Sequence, residues 1–284
     1  MCHAATPFGQ SGRGKYQRVA GGLSPKAEVA ERGIESPIQQ EWRSALRTGW
    51  QFCYIDRVSR LDDLLGRLRA FYGVLPAPPR DPFTLFVWEV LSMHSTPRKR
   101  DAALGSLKRI RALTPDAMWR APQAKLEASL MLAGPYLEQR LRALRTGVDL
   151  FRRNPTLPAV IRGPLPAARR ALKPFPQLGE SGAHRMLLFA ADHPVLPVDA
   201  RVNRVGRRLG YGQPSDDFRR SSRSIQTAMS AELPAEIEIY RDAFVYLSHH
   251  GGATCTEADP HCSVCPLVEG CPEGKRRVED GSRE

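Results

Sequence analysis

The sequence predicts an all-α protein, and three observations support this class. Apolar residues recur every three to four positions in many segments, for example in Leu61–Tyr72, which is the spacing of one buried helix face. Four prolines crowd into Pro76–Pro82 and indicate a linker between such segments. The strict alternation of apolar and polar residues that marks strands is nearly absent. We therefore expect packed helices and no sheet.

The helical repeat can be followed from the first third of the chain almost to its end. Phe83–Met93 is apolar nearly throughout, so we expect a buried helix there. In the last segment, Pro234 is expected at the first helical position and Gly251 just past the end. The predicted helices are Pro37–Trp50, Leu61–Tyr72, Phe83–Met93, Arg98–Ala112, Gln123–Leu132, Tyr136–Phe151, Pro166–Lys173, Ser181–Ala191, Ala200–Leu209, Ser215–Ala231 and Pro234–His249.

The composition favours a polyanionic partner. Of 284 residues, 42 are Lys or Arg and 30 are Asp or Glu, which gives a net charge of +12. Nucleic acid is the commonest partner of such a surplus, although a merely soluble basic protein is an equal alternative on charge alone. No apolar run approaches the roughly 20 residues of a membrane span, and no secretory signal is recognisable. A cytoplasmic, nucleoid-associated protein of bacterial type is expected.

Four of the six cysteines lie close together near the C-terminus, with the spacing C-x6-C-x2-C-x5-C. Four thiolates on short loops can hold a tetrahedral zinc ion or the corners of an iron–sulfur cube. A zinc ribbon normally pairs two C-x2-C knuckles, and only one is present, so the spacing favours iron–sulfur and leaves zinc open. The remaining Cys2 and Cys53 are expected to be inert thiols. The four candidate ligands are Cys255, Cys262, Cys265 and Cys271.

The segment Leu247–Cys255, followed by that cysteine spacing, resembles the C-terminal cluster loop of the endonuclease III family. The resemblance implies a [4Fe-4S] cluster and the fold of the helix-hairpin-helix glycosylase superfamily. In that family the cluster shapes a loop presented to DNA and does not remove the base. The implied substrate is double-stranded DNA containing damaged or mismatched bases, and the implied enzyme is a monomeric glycosylase of base-excision repair.

A glycine-bearing turn in Phe175–Ala183 opens a helical segment. Free backbone N–H groups at such a turn suit a phosphate, but many helix pairs are joined in this way. The segment resembles the family's DNA-binding hairpin, with Gly179 as its second glycine and Gln177 in place of the first. The side chain of Gln177 is expected to hinder the close approach of the hairpin backbone to DNA. The resemblance implies DNA contacts at Gln177, Gly179, Ser181 and Gly182.

Asp199 precedes a basic helical segment, so its simplest role is that of a helix N-cap. The resemblance adds a second role, because Pro197-Val198-Asp199 with Arg204 downstream matches the motif that holds the family's catalytic aspartate. An ionised carboxylate at a helix start can stabilise the oxocarbenium-like cation that forms when a base leaves its sugar. Both roles are compatible.

Glu89 is the one charged residue in the apolar run Phe83–Met93. A buried carboxylate must be protonated, paired or turned to a cleft, and a partner arginine from another helix is an equal alternative to a functional role. The segment resembles the first barrel helix of the superfamily, and Glu89 falls where its adenine glycosylases have a catalytic glutamate. The resemblance therefore implies that Glu89 protonates the leaving base.

The lysine with which bifunctional members attack the sugar should occupy the position of Ser181. Base removal can use water instead, whereas efficient strand cleavage needs the lysine's imine. We therefore predict a glycosylase with weak or no AP-lyase activity. A lesion-binding protein without catalysis and a bifunctional enzyme that uses another amine are the alternatives. The resemblance also implies that His94 plugs the gap left by a flipped base and that Tyr136 contacts DNA, with a solvent-facing loop histidine and a core tyrosine as equal alternatives. Further DNA contacts are predicted at Arg201, Arg204 and Arg208.

The predicted architecture is two helical lobes with a DNA-binding cleft between them. Residues 75–193 would form a six-helix barrel that includes the hairpin, and residues 37–74 plus 194–275 the iron–sulfur cluster domain. Residues 1–36 are rich in Gly, Ser and Gln with scattered charge, so a disordered basic tail is expected there. Residues 276–284 would form a second tail.

Overall fold

The computed structural model describes residues 59–281. Within this range all regular elements are helical, so the predicted all-α class is confirmed. The predicted helix Pro37–Trp50 and the predicted tail 1–36 lie outside the described residues. No helix in the described range is long and apolar enough to cross a membrane.

The helices of residues 59–281 follow one another with short connections. In chain order they are α1 (Arg60–Tyr72), α2 (Pro82–Ser92), α3 (Pro97–Arg109), α4 (Pro115–Arg120), α5 (Gln123–Met131), α6 (Leu137–Arg153), α7 (Leu157–Arg162), α8 (Leu165–Leu172), α9 (Gly179–Arg185), α10 (Ala200–Arg208), α11 (Phe218–Ser230), α12 (Ile237–Ala253) and α13 (Pro272–Gly281). A π-helical turn spans Met186–Ala190, and short 3-10 turns lie at Cys262–Val264 and Val268–Gly270.

Local sequence signals explain why many of these helices begin where they do. A side-chain oxygen accepts a hydrogen bond from an N–H group of the first turn in α1, α2, α3, α4, α10 and α11, which satisfies donors that have no partner within the helix. Proline at the first helical position, as in α2 at Pro82, fixes the backbone for helix entry. Three helices, α4, α7 and α13, were not predicted from the sequence, because they are short or strongly charged.

Two predicted helix boundaries are wrong. The last long helix, α12, begins at Ile237, three residues after Pro234, and continues through Gly251 to Ala253. Gly251 does not end this helix, because its role is packing: a Cβ there would lie 2.8 Å from the Cβ of Arg201 and 2.9 Å from its carbonyl oxygen. The last helix, α13, extends to Gly281, so the predicted tail from residue 276 is helical up to that residue.

The predicted helix Ser181–Ala191 is divided in the structure. Its first part is α9, and its second part is the π turn, in which all five residues are buried. A π turn inserts one extra residue into a helical turn and is often found at functional sites. Here it lies directly after Arg185, which is part of the site described below.

The buried apolar side chains form one cluster from Leu61 to Cys271. Helices α10 and α12 pack closely, and α1 packs on α12, so the first helix of the described chain joins the C-terminal half. In the other half, α2 and α6 approach so closely that a Cβ at Gly147 would lie 2.1 Å from the ring of Phe86. The division into a barrel and a cluster domain stays a prediction.

Candidate active site

Asp199 caps α10 and also faces a pocket. Its Oδ1 accepts hydrogen bonds from the backbone N–H groups of Arg201 (3.0 Å) and Val202 (2.9 Å). Its Oδ2 accepts a hydrogen bond from the Ser248 hydroxyl at 3.3 Å. The side chain is 25% exposed, so one carboxylate oxygen is fixed by the helix while the other lies beside the pocket. The predicted N-cap is therefore present, and it leaves a carboxylate oxygen for chemistry.

Glu89 is paired with an arginine, which is one of the two alternatives that the sequence left open. Arg185 donates from Nε to Glu89 Oε1 at 2.5 Å and from Nη2 to Oε2 at 2.6 Å. Both side chains are largely buried, at 13% and 3% exposure. Arg185 was not predicted from the sequence as a site residue. The buried acid in α2 was the signal that a cation had to lie nearby.

The guanidinium of Arg185 lies between Glu89, Ser181 and Asp199. Its Nη1 donates to the Ser181 hydroxyl at 3.0 Å and lies 3.6 Å from Asp199 Oδ2. Burial alone would lower the pKa of Arg185, but the charge and hydrogen bonds of Glu89 outweigh it and raise that pKa above its usual value. A permanent positive charge therefore lies between two carboxylates.

Gly182 provides the space for this ion pair. A Cβ at Gly182 would lie 3.3 Å from Glu89 Oε2, which is too close for an unaltered carboxylate position. Gly182 itself is buried. The residue packs beside Glu89, and its contact with DNA stays a prediction.

A pocket of about 340 Å³ opens beside Asp199 and Arg185. Its wall includes the aromatic rings of Trp88 and Phe244, and the guanidinium of Arg100 stacks on Trp88 at 4.3 Å. The described residues that line this pocket include no lysine. The charged and hydroxyl-bearing residues of the wall are Ser92, Ser95, Thr96, Arg100, Arg185, Asp199, Arg201 and Ser248.

The predicted hairpin turn lies at the surface between α8 and α9. Gln177 and Gly179 are exposed, and both have a left-handed backbone, with φ angles of 66° and 48°. Such angles suit glycine and cost energy for other residues, so Gln177 takes a conformation that the family pattern assigns to glycine. Ser181 is half-buried and turned towards Arg185.

His94 and Tyr136, predicted separately as DNA contacts, lie together at the surface. Their rings are 4.7 Å apart and tilted by 36°, and both residues have a left-handed backbone, with φ angles of 46° and 73°. The fully buried Arg140 holds both loops. It donates to the carbonyl oxygens of Met93 (2.6 Å), Ala133 (3.0 Å) and Gly134 (2.8 Å), and to that of Pro135. The role of Arg140 was not predicted from the sequence.

Two of the three α10 arginines predicted to contact DNA donate hydrogen bonds within the protein, and their contacts with DNA stay a prediction. Arg204 donates to the carbonyl oxygens of Cys255 and Gly251. Arg208 donates to Cys255 Sγ at 3.2 Å and to the carbonyl oxygen of Thr256 at 2.6 Å. Both side chains therefore hold the cysteine loop, whereas Arg201 is exposed.

The four cysteines Cys255, Cys262, Cys265 and Cys271 line one small cavity with α10 and α12. All four are free thiols, and Cys271 is buried. Burial, together with the negative charge that the other three thiolates would carry, raises the pKa of Cys265 to about 11. Among the described residues, no group of three or more Cys, His, Asp or Glu side chains is arranged to hold a single metal ion.

Comparison with known proteins supports the predicted kinship. No family model matches the chain. The sequence is 25% identical to the endonuclease III of Treponema pallidum (strain Nichols) over 192 residues, which cover 68% of this chain and 84% of the relative. The fold matches that of endonuclease III in a trapped covalent complex with DNA, with a TM-score of 0.60 and 23% identity over 76% of this chain and 96% of that one. The chain is therefore similar to endonuclease III in sequence and in fold.

A second solved structure has the same fold. The endonuclease III-like chain matches a thermostable thymine-DNA glycosylase with a TM-score of 0.58 and 16% identity, over 76% of this chain and 95% of that one. At this identity the likeness shows the fold alone. The predicted resemblance and fold class are confirmed by these comparisons.

Proposed function

We propose that this endonuclease III-like chain is a DNA glycosylase of base-excision repair, which removes a damaged or mispaired base from double-stranded DNA by hydrolysis. The likeness to endonuclease III over 84% of that relative supports the class of enzyme. The observation that carries the mechanism is the position of Asp199, fixed at the start of α10 with its Oδ2 beside a pocket of about 340 Å³.

Asp199 would stabilise the reaction electrostatically. As the bond between the sugar C1′ and the base breaks, the sugar becomes an oxocarbenium-like cation. A carboxylate that is already held in place stabilises that charge without first having to reorganise. Water then adds to C1′ and gives one proton to the carboxylate. The two backbone N–H groups on Oδ1 would keep Asp199 oriented throughout.

Strand cleavage should be weak or absent. Ser181 occupies the position of the family's lysine, its hydroxyl is engaged by Arg185, and the described residues of the pocket wall offer no lysine in its place. A monofunctional enzyme is therefore favoured over a bifunctional one that uses another amine. A lesion-binding protein without catalysis is disfavoured, because Asp199 and the pocket are both present.

We do not assign Glu89 as the proton donor of the reaction, because both of its carboxylate oxygens accept hydrogen bonds from Arg185. Glu89 also does not line the pocket beside Asp199. We assign it instead to holding Arg185.

We propose that the four cysteines Cys255, Cys262, Cys265 and Cys271 hold a [4Fe-4S] cluster. They line one cavity, and four thiolates brought together on short loops can hold the corners of an iron–sulfur cube. When bound, the cluster would stabilise the cysteine loop. Arg204 and Arg208 hold the same loop from α10.

The DNA-binding surface would combine the exposed hairpin turn, the stacked rings of His94 and Tyr136, and Arg201. An aromatic pair that is already ordered can fill the gap left by a flipped base at little further entropic cost. We expect the enzyme to act as a monomer in the cytoplasm, associated with the nucleoid.

Base release from duplexes that carry thymine glycol, uracil or mismatched adenine tests this function. We expect release of at least one base, and a loss of about 100- to 1000-fold in single-turnover rate for Asp199→Asn. The matched control is Asp149→Asn, because Asp149 lies on α6 and pairs with the exposed Arg153. Borohydride should not trap a covalent complex on abasic DNA.

Two results would contradict the proposal. Tight lesion binding without release of any base, and with Asp199→Asn equal to the wild type, would indicate a binding protein. Efficient borohydride trapping would instead indicate a lyase that uses an amine from outside the pocket wall.

A further inference from the structure

The pocket beside Asp199 carries more positive than negative charge. Arg100, Arg185 and Arg201 line it, and Asp199 is its one carboxylate among the described residues. His249 also lines it, and burial, followed by the charge of Arg201, lowers the pKa of His249, so its imidazole is neutral at pH 7. A base flipped into this pocket would therefore meet a cationic wall.

Arg185 is held so that part of its guanidinium is available to a ligand. An arginine has five N–H groups. Two of them donate to Glu89 and one to Ser181, which leaves two without a hydrogen bond to the described residues. The ring of Phe244 lies 5.6 Å from the guanidinium carbon. The side chain is thus fixed on one edge by Glu89, and Arg185 is one of the residues that line the pocket.

The ion pair between Glu89 and Arg185 also keeps Arg185 from neutralising the charge of Asp199. Without Glu89, a buried Arg185 would have Asp199 as its nearest carboxylate, and a full ion pair would neutralise the charge that the sugar cation needs. With Glu89 in place, Arg185 Nη1 forms only a longer ion pair of 3.6 Å with Asp199 Oδ2, because Nε and Nη2 bind Glu89 at 2.5 and 2.6 Å. Glu89, Arg185 and Asp199 together carry a net charge of −1, and formation of the sugar cation brings the site to neutrality.

We propose that Arg185, positioned by Glu89, is a catalytic residue that donates hydrogen bonds to the departing base and stabilises the negative charge that the base acquires. This inference rests on the proposed glycosylase function and deepens it. Arg185 would then stabilise the leaving base as a fixed cation, and no general acid would be needed to protonate that base.

The reaction balances as a hydrolysis. The C1′–N bond breaks, and its electron pair leaves with the base, which becomes an anion held by Arg185. The sugar cation takes an electron pair from a water oxygen, which forms the C1′–O bond. That water gives a proton to Asp199, the base anion takes a proton from solvent, and Asp199 returns its proton to solvent. The products are a neutral base and an abasic sugar.

The substrate class follows from this charge. Arg185 stabilises bases that carry carbonyl oxygens and leave as anions, such as uracil. Bases alkylated on a ring nitrogen are already cationic and leave as neutral molecules, so they need no such stabilisation and are repelled by three arginines. We expect the enzyme to prefer the first class.

The experiment compares the wild type with Glu89→Gln/Arg185→Met, which removes both charges and keeps similar side-chain volumes. Single-turnover rates are measured on duplexes with uracil, 5-fluorouracil and 7-methylguanine. We expect the double variant to release uracil about 100-fold more slowly. The advantage of 5-fluorouracil, whose anion is more stable, should grow severalfold, and 7-methylguanine release should not fall. Arg185→Lys, which keeps the charge, should recover part of the uracil rate.

The control is Asp149→Asn/Arg153→Met, which removes an exposed ion pair of α6 and should change none of these rates.

An equal loss on all three bases would overturn the inference, because it would mark Arg185 and Glu89 as merely structural. Faster release of 7-methylguanine than of uracil by the wild type would also overturn it. If the wild type releases no base while binding lesions tightly, the proposed function itself fails. Melting temperature and binding to an abasic duplex, measured for each variant, separate misfolding from lost chemistry.

Discussion

A single acid in an apolar helix was the most informative residue of this sequence. Glu89 indicated that a buried charge needed a partner, because an isolated carboxylate is costly to bury. It could not indicate which partner, since Arg185 lies 96 positions away and is one of many arginines. Asp199 was more predictable, because the capping role and the family motif both depend on neighbouring residues. Local signals therefore placed the aspartate, and only the fold placed the arginine.

Gln177 allows a test of backbone strain at the hairpin. Its φ of 66° costs about 1–2 kcal/mol for a residue other than glycine, while glycine costs about 0.5–1 kcal/mol in the unfolded chain. We expect Gln177→Gly to raise the free energy of unfolding by about 0.5–1 kcal/mol in urea denaturation. Affinity for duplex DNA should also rise, because the backbone can then approach a phosphate more closely.

Gln177→Ala is the control, since it removes the side chain and keeps the strain. It should leave stability close to that of the wild type. If the glycine variant proves no more stable than the alanine variant, the turn is not strained in solution.

At the scale of helices, the sequence was reliable wherever a helix is set by its own residues. The periodic apolar face of α1 and the apolar run of α2 predicted both helices to within a residue or two. The prediction failed where a contact with a residue distant in the sequence decides where a helix ends. Gly251 suggested a helix end, yet α12 continues because Arg201 packs against it, and no local rule contains that contact.

Helix α12 offers a matched pair of glycines for a packing test. A Cβ at Gly251 would meet the Cβ and backbone of Arg201 within 3 Å, whereas one at Gly252 would meet only its guanidinium, at 3.1 Å or more. We expect Gly251→Ala to lower the free energy of unfolding by about 1–3 kcal/mol, since α10 and α12 would have to separate. Gly252→Ala should be neutral or stabilise by up to about 1 kcal/mol, because alanine favours the helix. Equal effects in thermal or urea unfolding would contradict the close approach of the two helices.

At the scale of the whole molecule, the sequence predicted the class of fold, but it did not predict how the candidate site residues are arranged. His94 and Tyr136 were each predicted to contact DNA, but not to stack on each other. Their stacking depends on the buried Arg140, which donates hydrogen bonds to carbonyl oxygens of both loops. Arg204 and Arg208 looked like a DNA-binding face on a helix. They bind the cysteine loop because that loop folds back on α10, which is a long-range feature.

The cysteine loop gives a prediction for the intact chain. Protein purified without oxygen should be coloured and contain about four iron atoms per chain, as expected for a cube held by four cysteines. Removal of the iron with a chelator should lower the melting temperature, because the loop then loses the centre that joins its ends. Cys262→Ser should lower the iron content, whereas a substitution at the exposed Val264 in the same loop should not. Colourless protein that contains zinc would contradict the assignment.

Helix α10 connects the candidate active site with the cysteine loop, although the loop takes no part in the proposed reaction. It begins at the cap formed by Asp199 and ends at Arg208, whose guanidinium binds the cysteine loop. Nine helical residues span about 13 Å, and a helix of that length moves as a stiff rod. Oxidation of the loop would therefore displace Asp199 at the other end of α10. The first sign of such damage would be slower base release with lesion binding unchanged.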